Sequence, residues 1–369
     1  MHRENRALGL TCVRLDFSNN FTHYMRCCRF FGGSALLYRK GGAAIMAGEN
    51  REKTEQGFLW ERRAGSARIV GVETDQMLLE IPAQIEGLPV TEIGAQAFEG
   101  SGCSLLELPE GLERIGSYAF HDCNHLKEVR LPKSLWEVDS YAFYNCRGLS
   151  ELSMWDGIRD LDNDAFLGCD KLTRIRMELP EGRHSSLKPL LSELYQEVEV
   201  TFVYPQKQSE AVVIFPEYFV EYVENGPARI FEEFTIGSGR VYRKFFNDPE
   251  FDYVSYDRHF EIACKKDLAP QAARVAVRRL QYPWELGRVG EQRYVDWLRE
   301  HAVEGLTQYV ESESLDVLEL MKEKGILTSE IVEKLLDLAI AGGKRSMISW
   351  LMQQRTQETR QKAERDFDL

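Results

Sequence analysis

The stretch "IGSYAFHDCNHLKEVRLPKSLWE" (115–137) is followed at once by a near copy, "VDSYAFYNCRGLSELSMWDGIRD" (138–160). A chain that repeats itself at so short and regular an interval has few folds open to it. Aligned on Ala-Phe, the copies stand at Ala97-Phe98, Ala119-Phe120, Ala142-Phe143 and Ala165-Phe166, so their positions advance by 22, then 23, then 23. A fixed period in the twenties means stacked coils, because no single unit of that size can bury an apolar face alone. Three residues after Phe comes Cys123, Cys146 or Cys169, and three further on Leu126, Leu149 or Leu172. Then apolar residues alternate, Val129 and Leu131, Leu152 and Met154, Ile175 and Met177, which is a short strand with one buried face. One strand per coil at the same phase predicts a parallel sheet, with Ala, Phe and Cys filling the space behind it. A free cysteine suits that column, since it packs as a small apolar residue. Cys103 lies five residues after Phe98, so the first unit departs from the column.

These phrases, "IGAQAFEG", "IGSYAFHDC" and "LKEVRLPKSL", resemble the bacterial BspA-like leucine-rich-repeat family, and "LLEIPAQIEGLPVTEIGAQAF" (79–98) resembles that family's opening unit. The resemblance covers about residues 65–180. It implies the solenoid fold and says little about function, although many members of that family are exported to the cell surface. The strand residues that point away from the core would line its concave face. They are Glu107, then Glu128 and Arg130, Glu151 and Ser153, Arg174 and Arg176. Such faces are frequent binding surfaces, and a solvated charged face is the plainer alternative. Trp136 and Trp155 are the nearest aromatic residues and fit edge packing better than an anchoring role.

The rest of the chain follows a different grammar. Residues 1–45 carry seven basic and two acidic side chains, a net of +5, which leaves −18 on 46–369 out of the total of −13. Lys40-Gly41-Gly42 is what a purine-rich ribosome-binding sequence would encode upstream of Met46, so 1–45 reads as an untranslated segment or a disordered basic leader. Residues 46–205 form the repeat domain with its caps; "SSLKPLLSELYQ" (185–196) reads as a helix and "VEVTFVYP" (198–205) as a strand that together close the stack. Residues 206–262 are an aromatic-rich bridge. From 263 to 369 the period is helical, with Pro270 in a first turn. Val317, Leu318, Leu320 and Met321 are echoed, at an offset of 30 in numbering, by Met347, Ile348, Trp350 and Leu351, which looks like an ankyrin-type helix repeat, with generic helix pairs as the fallback.

Few chemical functions fit this composition. The net charge of −13 disfavours nucleic acid and anionic membrane as partners, since phosphate-binding faces need concentrated Lys and Arg. Apolar runs are too short for a membrane span and no export signal opens the chain, so the simplest location is the cytoplasm and the eight cysteines (12, 27, 28, 103, 123, 146, 169, 264) are expected as free thiols. "HDCNH" offers His121, Cys123 and His125 as zinc ligands, but Cys123 belongs to the core column and the histidines are replaced in later units by Tyr144, Leu167, Gly148 and Lys171. Gly237-Ser238-Gly239 lacks the spacing of a phosphate loop. No cofactor, metal or catalytic set is expected. The fold class is α/β, a leucine-rich-repeat solenoid with a parallel sheet followed by an α-helical, ankyrin-like domain. The expected role is a non-catalytic protein-protein interaction scaffold; the alternative is an enzyme or small-ligand binder with its site in 206–262.

Overall fold

A computed structural model describes residues 51–73, 76–179, 186–225, 230–247 and 250–367; side chains are described for these except 223–232, 247, 250 and those beyond 357. The leader and the start at Met46 lie outside the described residues. The chain opens with β1 (Glu52–Lys53), β2 (Phe58–Arg63) and β3 (Ser66–Val72), an antiparallel set whose third strand runs parallel to the sixth. The opening unit follows as β4 (Leu78–Glu80), β5 (Gln84–Ile85) and β6 (Leu88–Ile93). Each later coil contributes two strands: β7 (Leu105–Glu107) and β8 (Arg114–Ile115), β9 (Glu128–Arg130) and β10 (Glu137–Val138), β11 (Glu151–Trp155) and β12 (Asp160–Leu161), then β13 (Arg174–Glu178). The coils therefore build two sheets. One runs β4, β7, β9, β11, β13; the other runs β3, β6, β8, β10, β12. The second sheet cannot be told from sequence as strands, because two residues show no alternation; its one apolar residue per coil, Ile93, Ile115, Val138 and Leu161, recurs only at the spacing of the coils.

Two left-handed turns bend every coil. One falls just before Ala, at Gln96, Tyr118, Tyr141 and Asp164 (φ 59° to 64°), and one two residues after Phe, at Gly100, Asp122, Asn145 and Gly168. Gly, Asp and Asn are the residues that tolerate this conformation best, which explains the second series. Between the turns the phenylalanines stack face to face: Phe98, Phe120, Phe143 and Phe166 lie with neighbouring ring centroids 5.0 to 5.1 Å apart, nearly parallel and fully buried.

The stack is closed by α1 (Leu187–Glu193), β14 (Val198–Tyr204) and β15 (Ser209–Phe215). Strand β14 joins β13 in parallel and β15 returns antiparallel, so the sheet extends beyond the boundary drawn at residue 205. The run "AVVIF" (211–215) is buried on both faces, unlike the alternating strands before it. Next comes a separate unit, the hairpin of β16 (Phe219–Asn225) and β17 (Ile230–Ile236), which pairs Phe219 with Ile236 and Glu221 with Phe234.

Back in the main unit, α2 (Gly239–Tyr242), β18 (Phe246–Asn247) and β19 (Glu250–Phe251) precede the helices α3 (Tyr253–Arg258), α4 (Phe260–Lys266), α5 (Ala269–Gln281), α6 (Arg288–Glu300), α7 (Ala302–Glu311), α8 (Leu315–Glu323), α9 (Ser329–Ala341) and α10 (Arg345–Phe367). The aromatic bridge is core: Phe202, Phe215, Phe246, Phe251, Tyr253 and Tyr256 pack ring against ring. Helices α8 and α10 start at 315 and 345, which accounts for the echo between them, and α5, α7 and α9 pack in series behind them. Gly325 and Gly343 sit just past helix ends at φ 65°, where a left-handed residue ends a helix without penalty.

Candidate functional site: the outer face of the repeat sheet

Strand register places the candidate residues in straight rows. Glu128, Glu151 and Arg174 are neighbours across β9, β11 and β13, with Leu105 before them and Glu199 after. Arg130, Ser153 and Arg176 form the second row, ending at Thr201. Glu80 and Glu107 are paired on β4 and β7 at the same level of their strands. All seven expected residues share the face opposite the core, since Val129, Leu152, Ile175 and Val200 between them are buried. Trp155 belongs to this face too, at the end of β11 beside Glu178, with the Lys133 ammonium 4.9 Å from its ring centre.

Most charges on the face already have partners. Arg130 pairs with Glu128 (2.7 Å), Arg174 with Glu151, Arg176 with Glu210 (2.7 Å) and Lys133 with Glu178 (2.7 Å). At the C-terminal end α5 lies over it. Arg278 reaches Glu199 (2.8 Å), Arg274 reaches Glu197 (2.6 Å), and Val212 and Ile214 beneath are buried. The N-terminal end differs. Met77, Leu78 and Leu105 are 69%, 43% and 52% exposed, and Glu80 and Glu107 make no ion pair among the described residues. Sequence reading missed the leucines because "LLE" at 78–80 and 105–107 repeats an apolar residue where later coils place Glu or Arg. That repetition was the available signal.

Behind the sheet the thiols form a row. Cys123, Cys146 and Cys169 donate to the carbonyls of Phe98, Phe120 and Phe143 at 3.1 to 3.2 Å, all nearly fully buried. Cys103 joins them: the contact with the Cys123 sulfur, then burial, pushes its thiol far up. Its extra two residues are absorbed in the turn after Gly100, which corrects the expectation that this unit leaves the column. The Cys146 thiol is held well above its ordinary range as well: hydrogen bonding with Cys123 lowers it, but hydrogen bonding with Cys169 and burial outweigh that. Thiols kept protonated and buried are poor nucleophiles and poor metal ligands.

The "HDCNH" residues diverge. While Cys123 faces the core, His121 bonds Glu99 (3.1 Å) and stacks on Tyr144. Among the described residues no three His, Cys, Asp or Glu side chains gather as a metal site. Nor is any helix there long and apolar enough to cross a membrane. The glycine triplet holds a carboxylate, not a cavity for phosphate: Ser238 N–H donates to Asp267 (2.7 Å), and a Cβ at Gly239 would collide with the Pro216 carbonyl. A shallow open depression lies on α6, lined by Arg288, Val289, Gln292, Arg293 and Asp296, outside the aromatic bridge.

A two-sheet solenoid of short, equal coils, with stacked Phe and Cys ladders, defines a leucine-rich-repeat protein followed by a helical region. Residues 91–187 are a BspA type leucine rich repeat region, matched in six copies. Among solved structures, a leucine-rich repeat protein from Bacteroides capillosus is 26% identical over 35% of this chain and 99% of its own (TM-score 0.32). The T. pallidum leucine rich repeat protein is 24% identical over 34% and 71% (TM-score 0.29), and a leucine rich cell surface protein from Faecalibacterium prausnitzii is 17% identical over 35% and 40% (TM-score 0.29). No curated protein matches the chain.

Proposed function

We propose that this chain is a non-catalytic scaffold that binds a protein partner through the outer face of its repeat sheet. The observation that carries the reading is the register of that face, which sets Glu128, Glu151 and Arg174 in one row and Arg130, Ser153 and Arg176 in the next, on five strands hydrogen-bonded side by side. Flat rows of outward side chains on a rigid sheet present an extended surface and no enclosed pocket, which suits recognition of another chain. The ankyrin-like reading of α7 to α10 rests on the spacing of the echo between α8 and α10 and adds a second such surface. We further propose a cytoplasmic location, a reducing compartment in which the thiols at 103, 123, 146, 169 and 264 would stay free. Affinity capture from the native cell tests the scaffold role, with Glu128→Arg, Arg130→Glu, Arg174→Glu and Arg176→Glu combined as the comparison. Loss of the captured protein supports the reading; an unchanged set of captured proteins removes the charged rows of β9 to β13 from consideration.

A further inference from the structure

The outer face is uneven, and the unevenness points to a docking chemistry. From β9 onward every outward carboxylate quoted above has a cation at hydrogen-bond range, so a partner must break an existing pair to use it. At β4 and β7 that competition is weaker: neither Glu80 nor Glu107 has a cation at ion-pair distance among the described residues, and the Arg130 guanidinium, bonded to Glu128, reaches Glu107 only through space. Leu78 and Leu105 are register neighbours, half open to solvent and flanked by the more exposed Met77. Two residues along the same strands, Glu80 and Glu107 are also register neighbours, exposed and without an ion pair among the described residues. An apolar pair and an acidic pair thus lie side by side, about 7 Å apart along the strand. Strand β4 ends its sheet, and its far edge has no strand neighbour among the described residues. Edges of this kind accept an added strand.

We propose that this end of the face takes an extended, cationic and apolar segment of a partner protein, laid beside β4. This rests on the scaffold reading above and names which part of the face recognises what. On an added strand, outward side chains recur every second residue, so an apolar residue beside Leu78 puts the second residue on beside Glu80. The segment recognised therefore alternates, outward, between an aliphatic residue and Arg or Lys. An anionic segment meets two unpaired carboxylates and is rejected, which supplies specificity as well as attraction.

The probe is a fluorescent peptide, Leu-Thr-Arg-Val-Leu-Thr-Arg, titrated with the full chain at physiological salt and read by anisotropy; its counterpart carries Glu for Arg. The expected result is saturable binding of the first peptide only, weakened at least tenfold by Glu80→Lys with Glu107→Lys, and at least threefold by Leu78→Ser with Leu105→Ser. Arg174→Glu with Arg176→Glu should leave it within twofold. All these positions are exposed, and circular dichroism of each variant confirms the fold. Equal binding by the Glu80 and Glu107 variant overturns the proposal, as does failure of the Arg peptide to bind. If binding instead falls with the Arg174 and Arg176 variant, the face still docks a protein but this end of it does not.

Discussion

Between Ala97 and Leu152 the interior holds Phe, Ala, Leu, Val, Ile and Cys and no buried charged side chain, whereas between Ser238 and Trp284 it holds Arg243, Asp257 and Arg279. The difference lies in what satisfies the backbone. In the coils each unit is capped by the next: Phe98, Phe120 and Phe143 donate their N–H groups to the carbonyls of Ala119, Ala142 and Ala165 at 2.7 to 2.8 Å. A repeat meets its own polar needs wherever another copy follows. Where copies stop, side chains must take over. Phe166 N–H, with no further Ala-Phe coil above it, donates to the Glu193 carboxylate at 2.8 Å. Arg243 donates to the carbonyls of Leu191, Leu194, Gln196, Pro216 and Gly239, tying the end of α1 to the segment after β17; burial lowers its guanidinium to about 10.

The sharpest test of this contrast is Asp257. It is held by Arg279 through two hydrogen bonds (2.7 and 2.8 Å) and by the Tyr294 hydroxyl (2.8 Å), with Arg279 fully buried. Asp257→Ala leaves that guanidinium without its anion and should cost roughly 4 kcal/mol in chemical denaturation, whereas Asp257→Leu with Arg279→Leu should cost far less. If the single and double variants lose the same stability, the pair is not what binds α3 to α5.

Glu193 gives the next largest effect, and its sign is opposite to that of a salt-bridged acid. Burial pushes it up to about 7 from 4.5, against the N–H bonds that favour the anion. The folded state therefore holds more protons than the unfolded one between those values. Stability from this group is present below pH 4.5, falls as pH rises and is gone above 7, a change of at most about 3 kcal/mol. Glu193→Gln should flatten the stability curve across that window by the same amount. Parallel curves for the two proteins would mean that Glu193 is not the carboxylate that ends the ladder.

Inside the ladder the expectation is smaller and uniform. Cys146→Ala removes one buried sulfur and its bond to the Phe120 carbonyl and should cost about 1 to 2 kcal/mol, with Cys123→Ala alike, because their surroundings repeat. Unequal costs would show that the coils are not equivalent in energy.

How much of this was legible follows from the same contrast. Periodic features could be read: the Phe and Cys columns, the phase of Val129, Leu152 and Ile175, and hence the outward rows of the candidate face. The buried ion pair could not, because Asp257 and Arg279 lie far apart in the chain and a pairing that occurs once has no echo. Its only local trace is that Arg279 falls three and four residues after Ala276 and Val275, on the apolar side of α5, while Arg278 falls off it. The exposed leucines of β4 and β7 are identical in type to their buried neighbours, and only strand register separates Leu105 from Leu106.

The smallest effect expected is on the candidate face itself. Arg174 and Glu151 are about half exposed, so water already solvates both ions and screens their attraction. Arg174→Ala should change unfolding stability by no more than about 0.5 kcal/mol. A functional residue on a scaffold is one that folding can spare, and this near-silence is what frees the row for a partner. A loss of several kcal/mol would place Arg174 among the groups that hold the coils together, as Asp257 holds the helices, and would remove it from any surface available for binding.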